Sequence, residues 1–264
     1  MIGSADLLVA TDLDGTFLDH DTYSYAAALP AIRALQQRNV PVIFVTSKTA
    51  AEVQVLQEQI GLRQPFIVEN GGVIVIPDGY FSNVGEKHVL GAGIEDIQLF
   101  LKNCRAFGDQ FTGFSDMSAE DVARVTGLPI NDAALAKERI SSEPLIWEGD
   151  ATSKRNFVDA TKRAGFQALQ GGRFLTIGGK IDKGQALLKL LKLFQKYGKT
   201  IKTTIALGDS GNDVALLDSA NIPVWVRKRE NTPETEFRAN ARCTVRYGPS
   251  GWYDAVCEIF GLDL

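Results

Sequence analysis

Leu7-Leu8-Val9-Ala10-Thr11-Asp12-Leu13-Asp14-Gly15-Thr16 is the stretch that decides the fold. A short apolar run stops at two carboxylates separated by one residue, followed by a glycine and a hydroxyl. The pattern predicts a buried strand emptying into a site. Open α/β sheets bind ligands at the carboxyl ends of their strands, which puts Asp12 and Asp14 at such an edge. Gly15 lets the backbone turn there. One such carboxylate can attack a phosphorus or carbon centre while the other handles the proton of the leaving group. The pair would repel without a cation between them, and Mg²⁺ suits two carboxylates completed by water and phosphate oxygens. An isolated D-x-D-G-T also occurs as a solvated Asx turn, so the remainder of the chain carries the decision.

Downstream, the strand pattern repeats. Residues 30–38 read as a helix with Pro30 in its first turn, and residues 41–46 as a second buried strand ending in Thr46-Ser47-Lys48-Thr49. Residues 50–60 form the next predicted helix, closed by Gly61, and residues 66–69 the third strand. Asn70-Gly71-Gly72 then turns the chain into residues 73–76, a hairpin partner. This alternation predicts an α/β fold built on a doubly wound, Rossmann-like parallel sheet.

From about residue 85 the rhythm changes. Helices are expected over 94–102, 118–125, 131–140 and 152–164, with strand-like pieces at 166–169 and 173–177. Residues 85–178 are therefore expected to be an inserted α+β cap domain, with residues 1–84 and 179–264 as the catalytic core. The core pattern returns with a periodic helix opened by Lys183-Gly184 and a strand over 203–207. That strand runs into Gly208-Asp209-Ser210-Gly211-Asn212-Asp213, after which a helix over 214–220, a strand over 222–226 and a closing helix over 253–260 are expected.

This second acidic cluster answers the first. Asp209 and Asp213 flank a turn at a helix start, where they can complete a Mg²⁺ site begun by Asp12 and Asp14. Thr46 or Ser47 can donate to a phosphoryl oxygen, and Lys183 supplies a point charge to the same group. Each feature alone is unremarkable; their common position at strand ends and helix starts is not.

The chain has 264 residues, 45% hydrophobic and 23% charged, with a net charge of −4. That composition supports one large or two modest globular domains, and gives no basic footprint for nucleic acid or an anionic membrane. Cys104, Cys243 and Cys257 are scattered and odd in number, which argues against a disulfide framework or a zinc site. His20 and His88 leave a histidine-centred triad poorly supplied. Residues 1–6 show no basic segment followed by an apolar core, so a soluble, cytoplasmic protein is expected, with no obligate protein partner implied.

D-x-D-G-T, the strand-end Thr46-Ser47, Lys183 before a helix, and G-D-x-x-N-D resemble the four motifs of the haloacid dehalogenase-like phosphohydrolases. The insertion is similar to the cap of their Cof-type branch. Within that branch, Thr46-Ser47-Lys48-Thr49, Glu69-Asn70-Gly71-Gly72, Gly79-Tyr80-Phe81, residues 113–118, Thr126-Gly127-Leu128, Arg139 with Ser142-Glu143-Pro144, Gly171-Gly172-Arg173-Phe174 and residues 248–252 resemble the mannosyl-3-phosphoglycerate phosphatase family over nearly the whole chain. The resemblance implies Asp12 as the nucleophile that becomes an aspartyl-phosphate and Asp14 as acid, then base. It implies Mg²⁺ held by the Asp12 carboxylate, the Asp14 backbone carbonyl and Asp209, with Asp213 in or near the layer of groups behind these ligands. Thr46 in the first place, or else Ser47, and Lys183, rather than Lys180, would bind phosphate. The implied substrate is a small glycosyl-phosphoglycerate, whose carboxylate Arg139 and Arg173 could fork, with Lys48 and Asn70 in reach. Residue spacing cannot separate mannose from glucose; a phosphomannomutase is the further alternative.

Overall fold

The computed structural model describes residues 6–108, 110–171, 173–228 and 241–263. Residues 1–5 and Gly172, both used in the sequence reading, lie outside the described residues.

Five parallel strands form the central sheet: β1 (Leu7–Thr11), β2 (Val42–Phe44), β10 (Thr203–Gly208), β11 (Ile222–Arg227) and β12 (Arg242–Tyr247), in the order β12-β11-β10-β1-β2. A parallel bridge from Val45 to Ile67 carries this sheet on to β3 (Phe66–Val68). That strand pairs antiparallel with β4 (Val73–Ile76), which pairs with β5 (Glu86–Val89). The expected boundary at residue 85 thus falls just before a strand that belongs with the core hairpin.

Except along the edge strand β12, both faces of the sheet are buried, which is why its inner strands read as unbroken apolar runs. Val9, Phe44, Ile205 and Leu207 point to one side, against α1 (Leu29–Gln37), α2 (Ala50–Ile60) and α9 (Gly248–Phe260). Leu8, Ala10, Ile43 and Ala206 point to the other, against α7 (Lys183–Lys196) and α8 (Val214–Asp218). Each buried Val, Leu, Ile or Phe among these contributes roughly 1.5–3 kcal/mol, and each alanine less. Closing helix α9 begins at Gly248, five residues earlier than expected, because Pro249 in its first turn suits a helix start. Its Trp252 is fully buried, packs edge-on to Phe17 and donates from Nε1 to Thr11 Oγ1 at 2.9 Å.

The insertion is a second α+β layer. Strands β6 (Phe111–Gly113), β7 (Ser142–Trp147), β9 (Leu175–Gly179) and β8 (Phe166–Gln170) form an antiparallel sheet in that order. α3 (Ile94–Ala106) and α6 (Ala151–Arg163) pack on it through Ile97, Leu101 and Phe157. α4 (Ala119–Thr126) and α5 (Ile130–Ala136) form a smaller cluster around Phe114, Met117 and Val122. Ser118 and Asp121 close a capping box on α4, and Gly127 ends it in the left-handed conformation. The expected helix over 131–140 stops at Ala136; residues 139–142 leave it to meet the core.

Candidate active site

β1 delivers Asp12 and β10 delivers Asp209 side by side, because the two strands pair in parallel with Thr11 opposite Leu207. The Asp12 amide donates to Leu207 O at 2.9 Å. Lys183, at the start of α7, is 1% exposed and reaches both Asp12 Oδ1 at 2.7 Å and Asp213 Oδ1 at 2.6 Å. Lys180 is exposed. Asp182, which the sequence reading passed over, caps α7 by accepting from the Gln185 amide.

The acidic groups divide by their partners. Asp213 is fully buried, and its Oδ2 accepts from the Asp209 amide, the Ser210 amide and Ser210 Oγ at 3.0–3.2 Å. Asp209 Oδ1 accepts from Thr16 Oγ1 at 3.0 Å, and Lys228 Nζ lies 3.7 Å from its Oδ2. Asp12, Asp209 and Asp213 each offer an oxygen, all within 4.8 Å of one another. Burial and the Asp213 charge push Asp12 well above the usual carboxylate range, against the pull of Lys183. Asp209 is pushed up to about 6, by burial first and Asp213 second. Burial works against the charge of Lys183, but Asp12 and Asp213 more than offset it and hold its pKa above the ordinary lysine value.

Crowded hard-oxygen donors that repel one another are the chemistry of a divalent-cation site. The residues fit Mg²⁺: Asp12, Asp209 and Asp213 each bring a carboxylate oxygen into one group, and Asp213 is the most heavily tied, to Lys183 through Oδ1 and to the Asp209–Ser210 turn through Oδ2. Gly15 is needed for this approach. Its φ is +81°, and a Cβ there would come within 2.6 Å of Asp209 Oδ2.

Asp14 is partly exposed, and Lys48 Nζ stands 3.1 Å from its Oδ1. Burial opposes the Lys48 charge, yet Asp14 and Glu52 hold its pKa above the ordinary lysine value. Thr46 is fully buried, its Oγ1 accepting from the Lys48 amide at 3.2 Å; Ser47 faces the cavity.

That cavity, about 940 Å³, lies between core and insertion. Asp12, Asp14, Asp209, Ser47, Lys48 and Asn70 line its core side. Arg139, Arg173 and Phe174 line it from the insertion, and Arg227, Lys228 and Tyr247, unremarked in the sequence, line it as well. Asn70 Oδ1 accepts from Asn212 Nδ2 at 3.2 Å. Arg139 is half-buried and donates to Ala136 O, Ser142 Oγ and Ser47 O. Arg173 is exposed, and its fork is engaged by Val125 O at 2.9 Å and Thr126 O at 2.8 Å, the free carbonyls ending α4. Thr49 Oγ1 donates to Leu135 O at 2.9 Å, a direct contact between core and insertion.

Among the described residues no helix is long and apolar enough to cross a membrane. A family model described as haloacid dehalogenase-like hydrolase matches residues 9–90 and 154–232. The chain is 37% identical to a glucosyl-3-phosphoglycerate/mannosyl-3-phosphoglycerate phosphatase of Methanococcoides burtonii, covering 96% of this chain and 97% of the relative. A protein of the same name from Persephonella marina is 33% identical, with the same coverage on both sides. A phosphatase of the haloalkanoate (HAD) enzyme superfamily from Bacteroides thetaiotaomicron superposes with a TM-score of 0.70 at 16% identity, over 99% of this chain and 97% of that one. A paired-aspartate strand end, a buried lysine joining it to a second acidic turn, and a family match spanning both halves of the core lead to one conclusion: this chain belongs to the haloacid dehalogenase-like hydrolases.

Proposed function

We propose that this chain is a Mg²⁺-dependent cytoplasmic phosphatase hydrolysing mannosyl-3-phosphoglycerate to mannosylglycerate and phosphate. The observation that carries the chemistry is Asp12, gripped by Lys183 on one oxygen, at the floor of a cavity whose walls supply cations for a doubly anionic substrate. The choice of substrate is supported by the two relatives, whose names carry this phosphoester.

Asp12 and Asp209 would hold Mg²⁺ together with the Asp14 backbone carbonyl, and Asp213 would fix them in place. Bound there, the ion supplies positive charge to the transferring phosphoryl group and lets anionic nucleophile and substrate approach. Lys183 orients Asp12 so that its second oxygen attacks phosphorus. The bond from phosphorus to the glycerate C3 oxygen breaks, and the Asp14 carboxyl gives that oxygen its proton. Asp14 then takes a proton from water, whose oxygen attacks the phosphorus of the aspartyl-phosphate. Phosphate leaves, and Asp12 is restored. Ser47 or Thr46 holds a phosphoryl oxygen, while Lys48, Asn70 and Arg139 take the glycerate and sugar. The insertion excludes bulk water from the acyl-phosphate.

Glucosyl-3-phosphoglycerate is the second reading, since both relatives' names include that sugar. The test is phosphate release, with Mg²⁺ and then EDTA, from both glycosyl-3-phosphoglycerates, sucrose 6-phosphate and mannose 6-phosphate. Metal-dependent release confined to the glycosyl-phosphoglycerates is expected. Preference for a simple sugar phosphate, or return of phosphate to sugar, would overturn the substrate assignment.

A further inference from the structure

Glu69 has no part in the chemistry just described, yet three donors of the insertion converge on its buried carboxylate. Oε1 accepts from the Ile140 amide at 3.0 Å, and Oε2 accepts from the Ser141 amide at 2.9 Å and from Ser142 Oγ at 2.7 Å. Glu69 is 3% exposed. Both it and Asn70 hold left-handed backbone, with φ of 53° and 56°, a conformation that costs a non-glycine residue of order 1 kcal/mol and persists only where surroundings enforce it.

We propose that Glu69 is a positioning residue that fixes Arg139 of the insertion and Asn70 of the core where both line the cavity. The hydrogen bonds close a ring through core and insertion. The Glu69 amide donates to Lys48 O at 3.0 Å, and the Asn70 amide donates to Thr46 O at 2.9 Å, so the turn is tied to the loop after β2. From the carboxylate the ring runs to Ser142 Oγ, which accepts from Arg139 Nη1 at 3.0 Å, and the same Nη1 reaches Ser47 O at 3.3 Å. The guanidinium is thereby set relative to the loop that carries Ser47 and Lys48. The clamp also rests on the crossing of the two linkers between core and insertion. Ser141 Oγ donates to Ala92 O at 2.8 Å, and a Cβ on Gly179 would fall 2.6 Å from Gly91 Cα. The linkers touch backbone to backbone there, leaving the Glu69 clamp to set where residues 139–142 stand.

A carboxylate is required for this arrangement, because all three partners are donors and a glutamine amide would present its own N–H groups to at least one of them. The inference rests on the phosphatase reading only for the identity of the large substrate, so the experiment has one arm that does not use it. Hydrogen exchange of the Ile140 and Ser141 amides in ligand-free protein should rise in Glu69→Gln and stay slow in wild type. Unchanged exchange would overturn the clamp whatever the substrate is. In the kinetic arm, Glu69→Gln and, independently, Ser142→Ala should raise KM for the glycosyl-3-phosphoglycerate that is turned over by roughly tenfold or more, since misplacing a binding group by an ångström is costly. Their effect on p-nitrophenyl phosphate turnover should stay within about twofold. Adding Ser142→Ala to Arg139→Lys should cost little beyond Arg139→Lys alone. Equal losses on both substrates, or full additivity with Arg139→Lys, would make Glu69 a general structural residue and defeat the proposal. If Glu69→Gln fails to fold, Ser142→Ala and its double variant decide. If neither glycosyl-phosphoglycerate is turned over, the exchange arm stands alone, and the failure belongs to the substrate assignment.

Discussion

Lys183 Nζ lies 2.7 Å from Asp12 Oδ1, across 171 positions of sequence, and is almost without contact with solvent. The ion pair leaves one Asp12 oxygen aimed elsewhere, the arrangement a carboxylate nucleophile needs. Asp12→Asn removes the proposed nucleophile but keeps an acceptor for Lys183, which remains paired with Asp213. Turnover should fall by at least about a thousandfold. The thermal midpoint should hold or rise, because one of several mutually repelling carboxylates has been neutralised. Residual phosphate release near the wild-type rate would refute the nucleophile assignment.

Removing the cation has the opposite effect on stability. Lys183→Met leaves Asp12 and Asp213 buried without their shared counter-charge. Breaking one side of such a buried group costs roughly 3–5 kcal/mol. Urea unfolding should register that loss, and adding Asp213→Asn to Lys183→Met should recover part of it. A midpoint unchanged by Lys183→Met would mean that the carboxylates take up protons or solvent at little cost.

The carboxylates also predict a pH dependence. Asp209 has a folded-state pKa of about 6, above the ordinary carboxylate value it regains on unfolding. A raised pKa contributes stability that is present at low pH and lost as pH rises through about 6. The penalty at neutral pH is roughly 3 kcal/mol in the metal-free protein. Mg²⁺ should relieve it, because a bound cation favours the ionised form. Thermal melts of EDTA-treated protein, taken as a difference from Asp209→Asn, should fall between about pH 4 and pH 6 and level off above that. The gain on adding Mg²⁺ should be larger at pH 7 than at pH 5. A difference curve that is flat across this range would refute the raised carboxyl, and a Mg²⁺ gain equal at both pH values would count against Asp209 as a metal ligand.

Gly15→Ala tests the same site by geometry. The left-handed backbone at Gly15 and the 2.6 Å approach of an added Cβ to Asp209 Oδ2 leave no room for a methyl group unless Asp209 moves. Affinity for Mg²⁺, measured calorimetrically, should weaken by roughly tenfold or more, in line with disturbed supporting groups at metal sites. Unaltered affinity would place the ion away from Asp209.

How much of this was readable in advance follows from burial. The core strands lie between helices on both faces, so their apolar runs are unbroken and end abruptly in polar residues, and Asp12, Lys183, Asp209 and Asp213 stand at those ends. The strands that escaped detection break the pattern. β5 is Glu-Lys-His-Val with alternating exposure. β7 holds Pro144 opposite Thr176 within a strand flanked on both sides, where a missing N–H argues against strand assignment. β12 is largely exposed. The role of Glu69 was hidden for a different reason: a carboxylate after a buried strand reads as a turn residue until its donors, about seventy positions away, are known.

Arg139 and Arg173 looked equivalent in sequence, and their partners separate them. The Arg173 fork already satisfies two carbonyls at the end of α4, beside an exposed side chain, whereas Arg139 spans insertion and core from a half-buried position. Arg139→Ala should therefore raise KM for the glycosyl-phosphoglycerate by more than tenfold, a loss typical of a charge-assisted contact to a carboxylate. Turnover of p-nitrophenyl phosphate, which has no carboxylate, should change little. Arg173→Ala should lower the thermal midpoint through unsatisfied helix-end carbonyls, at roughly 1 kcal/mol, with a smaller rise in KM. Steady-state kinetics on both substrates, beside melts of both variants, distinguish the roles. If Arg173→Ala alone produced the substrate-selective KM rise, the fork would have to release Val125 and Thr126 when substrate binds, and the specificity of the cavity would belong to the end of α4 rather than to the segment that Glu69 holds.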